Sequence, residues 1–388
     1  MTSTISVRRV AGPADHKIFL RFPWTVYKDD PHWVPPLVSM RRDMLDPRKN
    51  PTLSYLDIDY FIAWRGTTPV GTIAAFINHH HNEFHKEHIG WFGLFEVLDD
   101  REAALALLST AEEWVRAKGY DAIRGPASFN DLGEFGLQVD GFGPPHVLLM
   151  PYNPPYYMTY VEAAGYKGIM DLASYRILAA DMMGENVPPK LRRVVGKLRE
   201  RSKVTMRLPD MKHLDHEIEL LEQLYIGAWS DNWGFVPPKH EEMVYLIKQL
   251  RPFFDPRMGL IAEIDGRPVG FVLLFPDLNQ AIGPARPHPD TPEMITLLRL
   301  LWYWKIRRKV NRVRVPFLGV LEEYRGRGID AMLYMDIIDP AVKMGFHEAD
   351  FGWILANNQA MVQVAELVRG QIYKTYRIYE KPLHVAAE

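Results

Sequence analysis

The sequence predicts an α/β protein built from two copies of one pattern, each a mixed, mostly antiparallel sheet flanked by helices. Three observations carry this. First, Ile62-Ala-Trp-Arg-Gly-Thr-Thr-Pro-Val-Gly71 aligns without a gap on Ile261-Ala-Glu-Ile-Asp-Gly-Arg-Pro-Val-Gly270, and the next five residues end in Phe76 and Phe275. Second, Val97-Leu-Asp-Asp100 resembles Val320-Leu-Glu-Glu323, and each leads into a helical pattern that stops at a glycine, Gly119 or Gly345. Third, each half closes near a Tyr-Arg-Ile, at Tyr175 and Tyr376. A common order of matches is what duplication leaves behind.

Taken along the chain, each copy opens with a strand, a tight turn containing Gly and a second strand, Thr-Ile-Ala-Ala-Phe76 or Phe-Val-Leu-Leu-Phe275. The stretch from Val97 to Gly119 is three residues shorter than that from Val320 to Gly345. Strand-like segments follow each helix at Asp121-Ala-Ile-Arg124 and Glu348-Ala-Asp-Phe351. Between the copies, Pro188-Pro189 precedes a basic stretch with apolar residues at 191, 194, 195 and 198, the pattern of a linker helix with a solvated basic face. The expected division is therefore 1–180, a linker at 181–204, and 205–388.

Composition narrows the function. The chain has 388 residues, 47% of them hydrophobic and 24% charged, as in a soluble globular protein. A net charge of −2 gives no general attraction to nucleic acid. The absence of cysteine excludes disulfides and thiolate chemistry. The N-terminus lacks the apolar core of a secretory signal and no apolar run approaches a membrane span, which fits a cytoplasmic location without membrane insertion.

The chemistry points to 314–330. The β-type run Arg314–Val320 leads into Arg325-Gly-Arg-Gly-Ile-Asp330 and then an amphipathic helix. Glycines bring backbone N–H groups close to an anion, the helix start adds free N–H groups and partial positive charge, and arginines supply charge-assisted bonds. This is a cradle for a pyrophosphate. The first copy has Arg101-Glu-Ala-Ala-Leu105 at the equivalent place and cannot form it.

The order strand–turn–strand, long strand, Arg-Gly-X-Gly turn and helix resembles the GNAT acetyltransferase superfamily. Arg325 and Gly328 match its Gln/Arg-X-X-Gly-X-Gly/Ala signature, and Asp330 departs from it. Trp33-Val-Pro-Pro36, Phe92-Gly-Leu-Phe-Glu96 and Pro151-Tyr-Asn-Pro-Pro-Tyr-Tyr157 are similar to bacterial tandem-GNAT proteins. The resemblance implies acyl-CoA:amine N-acyltransfer, with acetyl-CoA or another acyl-CoA as co-substrate, no metal, and a small-molecule amine or amino acid as acceptor. A homodimer stays open. It implies that Leu318, Gly319 and Val320 pair with the pantetheine arm, and that Arg325, Gly326, Arg327, Gly328, Ile329 and Asp330 hold the pyrophosphate.

Acyl transfer to an amine needs proton removal, stabilisation of the thioester oxygen and departure of the thiolate. The family's Asn-X-X-Ala-X-X-X-Tyr pattern is matched at Asn357 and Ala360, with Val364 in the tyrosine position. In the first copy Asn153 and Tyr160 carry that spacing without a phosphate loop. Tyr334, Tyr373 or a water are the substitutes for the acid. Asp277, at the end of the second hairpin, is a candidate base or amine ligand and otherwise a turn residue. Glu322 and Glu323 divide between base and solvated roles. Asn279, with Trp233 and Phe235 in Asp231-Asn-Trp-Gly-Phe-Val-Pro237, is a candidate for substrate contact; that segment has the aromatics and glycine of a lid, or packs on the surface.

Two features stand apart. His79, His80, His81, His85 and His88 invite a metal reading, against which stands a polar loop after the hairpin. Apolar residues at 294, 297, 298, 301 and 302 form a helical stripe: a core-packing helix, the wall of an acyl-chain pocket, or a basic amphipathic contact with a membrane face. The expected function is N-acyl transfer, acetyl in the first instance, at one site in the C-terminal half. The alternatives are a long-chain N-acyl amino acid synthase and a non-catalytic acyl-CoA-binding or interaction protein. A Rossmann nucleotide enzyme is a weaker alternative, because the turn lacks the full Gly-X-Gly-X-X-Gly.

Overall fold

The structure, a computed structural model, describes residues 4–130, 132–201 and 203–383. In chain order its strands are β1 (Ile5–Arg9), β2 (Leu56–Arg65), β3 (Thr68–Asn78), β4 (Ile89–Val97), β5 (Ala122–Gly125), β6 (Leu137–Asp140), β7 (Lys167–Leu178), β8 (Val204–Arg207), β9 (Gly259–Ile264), β10 (Arg267–Pro276), β11 (Arg312–Val320), β12 (Glu348–Leu355) and β13 (Gln371–Pro382). The α-helices are α1 (Gly12–Arg21), α2 (Pro23–Val26), α3 (Val38–Met44), α4 (His79–His85), α5 (Arg101–Ala117), α6 (Tyr156–Ala163), α7 (Pro189–Arg201), α8 (Leu214–Trp229), α9 (His240–Leu250), α10 (Asn279–Ala285), α11 (Glu293–Leu301), α12 (Ile329–Lys343) and α13 (Gln359–Leu367).

The chain packs as two compact units. One comprises Met1–Asp171, Ala281–Trp302 and Lys374–Glu388; the other comprises Leu172–Gln280 and Tyr303–Tyr373. These are cut differently from the contiguous division expected at 180 and 205. The helix expected as a linker, α7, buries Leu191 and Val195 in the core of the second unit; the side chain of Val194 lies outside the described residues.

In the first unit the strands run β1-β2-β3-β4-β5, and β13 pairs with β5 and β6. Neighbours are antiparallel except β4 and β5. Helix α5 covers this sheet for reasons visible in its sequence. Asp100 caps it by accepting from Ala103 N at 3.1 Å, and Ala104, Leu107, Leu108, Ala111 and Val115 recur at helical spacing and are fully buried. Each large side chain so buried contributes about 1.5–3 kcal/mol.

In the second unit the order is β7-β12-β11-β10-β9-β8, antiparallel except β11 with β12. Residues 172–178, the end of the first copy, thus close the second unit's sheet, and residues 375–382, the end of the second copy, close the first unit's. The core of the second unit gathers Val272, Leu274, Val313, Leu333, Ile337 and Phe351.

Candidate functional site

Parallel pairing of β11 with β12 covers Arg312–Arg314 against Glu348–Asp350 and then stops. Beyond that point lies a cleft of about 470 Å³, entirely within the second unit. Val315, Pro316, Leu318, Gly319 and Val320 line one side; Phe351, Trp353 and Ile354 line the other. Where strands separate, their facing N–H and C=O groups are left for a ligand. The end of α8, the loop at Asp231 and Asn232, the turn at Tyr324–Gly326, and Asn357, Asn358 and Met361 complete the lining.

The turn after β11 has the backbone its glycines predict. Gly326 has φ 71°, and Gly328, the N-cap of α12, has φ 81°. Both lie in the left-handed region that other residues avoid. The first α12 bond runs from Met332 N to Gly328 O at 3.1 Å, so the N–H groups of Ile329, Asp330 and Ala331 precede the helical ladder. That end suits an anion. The arginines are arranged otherwise than expected. Arg325 donates Nη1 to Asp231 Oδ2 at 2.9 Å and Nη2 to Ala228 O at 3.0 Å, pinning the end of α8 to the turn. Arg327 donates to Glu323 O at 2.9 Å and lies over the Tyr324 ring. Asp330 lines the cleft in the first turn of α12. Gly319 permits a close approach: a Cβ there would lie 2.4 Å from Trp229 Cζ3.

Several expected site residues are placed elsewhere. Asp277 is sealed from solvent and accepts from Arg312 Nη2 at 2.6 Å and Nε at 2.9 Å, so it is one half of a buried ion pair and not a cleft base. Asn279 is buried at the start of α10 and does not line the cleft. Tyr334 points into the core against Phe351, its hydroxyl without a hydrogen-bond partner among the described residues. Phe235 is buried against Tyr225 and forms no open lid; Trp233 is half-buried outside the cleft lining. Ile329 is a core residue, and Arg327 and Gly328 shape the turn without lining the cleft. Leu318, Gly319, Val320, Arg325, Gly326, Asp330 and Asn357 do come together around it. Trp229, Asn232, Tyr324 and Asn358 join them; Asn232 lies in the segment expected as a lid, the other three were not singled out from the sequence, and the signal available for Asn358 was an asparagine immediately before a helix, a capping pattern that it fulfils.

At the point where β11 and β12 part, the Tyr373 hydroxyl donates to Asp350 Oδ2 at 2.6 Å, and Arg314 Nε lies 3.9 Å from Asp350 Oδ1. Burial pushes the Asp350 carboxyl above its usual range, with Arg314 opposing. Tyr373 is thereby engaged and not a free acid. A separate apolar slot of about 60 Å³ lies among α8, α9 and the strands, lined by Ile218, Leu221, Tyr225, Leu246, Phe271 and Phe317.

The matching edge in the first unit is occupied. Val97 N donates to Tyr157 Oη at 2.7 Å, and Val97 O accepts from Tyr156 Oη at 2.8 Å. Tyr157 in turn donates to Glu96 Oε2 at 2.9 Å. By the internal alignment Val97 corresponds to Val320 and Glu96 to Gly319, so tyrosines hold backbone groups at the place equivalent to the second unit's cleft. Burial raises the Glu96 carboxyl to about 7, opposed by Arg41.

The histidine segment is a helix, α4, where a polar loop was expected. His81 is buried and bonds Glu87 Oε2 through Nε2 at 2.9 Å, and Glu87 also accepts from Arg124 at 2.9 Å. Among the described residues no group of three or more His, Asp or Glu side chains is gathered to hold a metal ion.

Comparison with known proteins bears on this architecture. The sequence pattern of the acetyltransferase (GNAT) family matches residues 219–370, which contain the cleft. A bacterial ceramide synthase of Caulobacter vibrioides is 34% identical over 386 residues, 98% of each chain. Protein YghO of Escherichia coli K12 is 32% identical over 391 residues, 99% of this chain and 98% of that one. A tandem GNAT protein from the clavulanic acid biosynthesis pathway superposes with TM-score 0.55 over 98% of this chain and 99% of its own, at 11% identity, a likeness of fold. With full-length relatives above 30% identity and the family pattern lying over the cleft, the chain belongs to the acetyltransferase (GNAT) family.

Proposed function

We propose that this protein transfers a long-chain acyl group from acyl-CoA to the amine of a long-chain amino alcohol, at one site, the cleft of the second unit. The observation that carries the proposal is the likeness, across 98% of both chains, to a protein described as a bacterial ceramide synthase. A ceramide is the amide of a fatty acid with such an amino alcohol. The amine nitrogen attacks the thioester carbonyl, the C–S bond breaks, coenzyme A leaves as the thiolate, and one amine proton is lost, leaving an amide and the free thiol.

The chain's own groups supply positions for this. The edge at Leu318–Val320 pairs with the pantetheine arm, and the first turn of α12 receives the pyrophosphate. Asn357, at the mouth of β12, orients the reacting groups. The apolar slot beside α8 takes alkyl carbon. The tyrosines on Val97 support a single coenzyme site. Because Asp277 is committed to Arg312, proton loss is assigned to solvent, and the rate rises with pH toward the pKa of the amine itself.

The test is to incubate the purified protein with palmitoyl-CoA or acetyl-CoA and a C18 sphingoid base, and to follow amide by mass spectrometry and free thiol by titration. Amide from palmitoyl-CoA supports the proposal. Amide only from acetyl-CoA with small amines or amino acids replaces it with acetyl transfer. A second function, acyl-CoA binding without transfer, is favoured by Val364 in the position of the family's acid. Calorimetric binding of both donors with no product would establish that one.

A further inference from the structure

Helix α11 is inside out. Its buried side chains are Thr296 and Leu300, and Glu293 Oε1 accepts from the hydroxyl of Ser39, fixing that face to the protein. The other face carries Met294 (66% exposed), Leu297 (36%), Leu298 (60%) and Leu301 (49%), and the helical turn that follows, Trp302–Ile306, continues it with Trp302 (53%) and Ile306 (63%). The spacing i, i+3, i+4, i+7, i+8 is that of one helical stripe. Seven of the thirteen large apolar side chains that stand exposed among the described residues fall between 294 and 306, so this is a patch and not scatter.

The charge beside the stripe says what covers it. Arg299, Lys305, Arg307, Arg308 and Lys309 are all exposed, and none is in an ion pair among the described residues. Glu293 is the one acid from 293 to 309. A partner must therefore be apolar and anionic together. A second copy of this chain across a two-fold axis would bring the same cations face to face. An anionic bilayer offers both features: acyl carbon for the stripe, headgroup charge for the cations, and an interface for Trp302, Tyr303 and Trp304. Among the described residues no helix is long and apolar enough to cross a membrane, so the segment would lie in the interface.

We propose that residues 293–309 dock this protein on the surface of an anionic phospholipid bilayer, with the stripe from Met294 to Ile306 in the interface and the five cations on the headgroups. This goes beyond the acyl-transfer proposal and does not depend on it, since binding is read without turnover.

The experiment is flotation of the full chain with vesicles of phosphatidylcholine alone or with about 30% phosphatidylglycerol, at about 0.1 M and 0.5 M NaCl. The intact protein is expected to float with the anionic vesicles, at least tenfold more than with the neutral ones, and several-fold less at high salt. Leu298→Glu with Leu301→Glu is expected to abolish flotation, and Arg307→Glu with Arg308→Glu to reduce it at least fivefold. These side chains are exposed, so a circular dichroism melt like that of the wild type checks that loss is not misfolding. The proposal is overturned if the wild type stays with the unbound fraction in every vesicle, or if both variants float like it. It is also overturned if the stripe variant only splits a dimer seen by light scattering, which makes the face a contact between copies.

Discussion

Asn358 and Asn232 share one hydrogen bond, from Asn358 Nδ2 to Asn232 Oδ1 at 3.0 Å, while Asn358 Oδ1 accepts from Met361 N at 3.2 Å to cap α13. One side chain thus ends a helix and ties it to the loop after α8, and both asparagines line the cleft. Asn232→Ala removes the tie alone. A neutral hydrogen bond is worth about 1 kcal/mol, so the variant should melt a few degrees lower, and with the loop freed acyl-CoA should bind up to about fivefold more weakly. Asn358→Ala also loses the cap, about 1 kcal/mol more, and should melt lower still. Calorimetry and thermal melts separate the two; equal affinity in wild type and Asn232→Ala would sink the idea.

Asp330 stands in the first turn of α12 where the family pattern has a small residue. A carboxylate favours that end of the helix dipole but repels a pyrophosphate arriving there. Asp330→Ala should therefore bind acyl-CoA several-fold more tightly at low ionic strength, with a gain that shrinks in salt, while melting slightly lower. Unchanged binding in the variant would mean that the carboxylate faces away from the ligand, and weaker binding that it supports the ligand; either result would refute the repulsion.

Asp277 is tested by stability. Removing one partner of a buried ion pair costs about 3–5 kcal/mol because the other charge is left unpaired. Asp277→Ala strands Arg312, which is also held by Glu348 Oε1 at 3.3 Å, so the lower end of that range is expected, read as a drop of several degrees in melting temperature. A variant that melts like the wild type but has lost turnover would restore Asp277 as a catalytic group.

Glu96 makes stability depend on pH. Its carboxyl titrates at about 7 in the folded chain, because burial outweighs Arg41, against about 4.3 when unfolded. A raised carboxyl pKa gives stability that is present below the unfolded value and is lost as pH rises through the folded one. Between about pH 4.5 and 8 the wild type should lose on the order of 3 kcal/mol relative to Glu96→Gln. Melting both proteins at about pH 5 and pH 8.5 checks this; a constant difference between them would refute it.

Much of the fold was legible because repetition is a sequence property. The hairpin match at 62–71 and 261–270 marks two equivalent strand pairs, β2-β3 and β9-β10, and Gly326 and Gly328 mark a turn whose backbone only glycine adopts readily. The exchange of final strands was not legible, since Tyr175 and Tyr376 read alike whichever sheet receives them. The site was half legible. Backbone-based parts, such as the edge at Leu318–Val320, follow from the chain path. Side-chain parts did not: Asp277 and Tyr334 carry polar atoms at suggestive places, and only packing reveals that Arg312 and Phe351 claim them. The stripe on α11 has the periodicity of a core helix, and which way it faces is a tertiary fact.

That exchange of final strands has a consequence for heredity as much as for folding. A gene cut at the repeat boundary yields fragments that each carry the other's missing strand, β7 on the first and β13 on the second. Each fragment would lack a strand that the intact sheet of its unit contains, so deleting either half would also strip a strand from the other. Co-expressed, the same fragments are expected to act as a split pair, each the template on which its counterpart completes itself, which co-purification of the two would check.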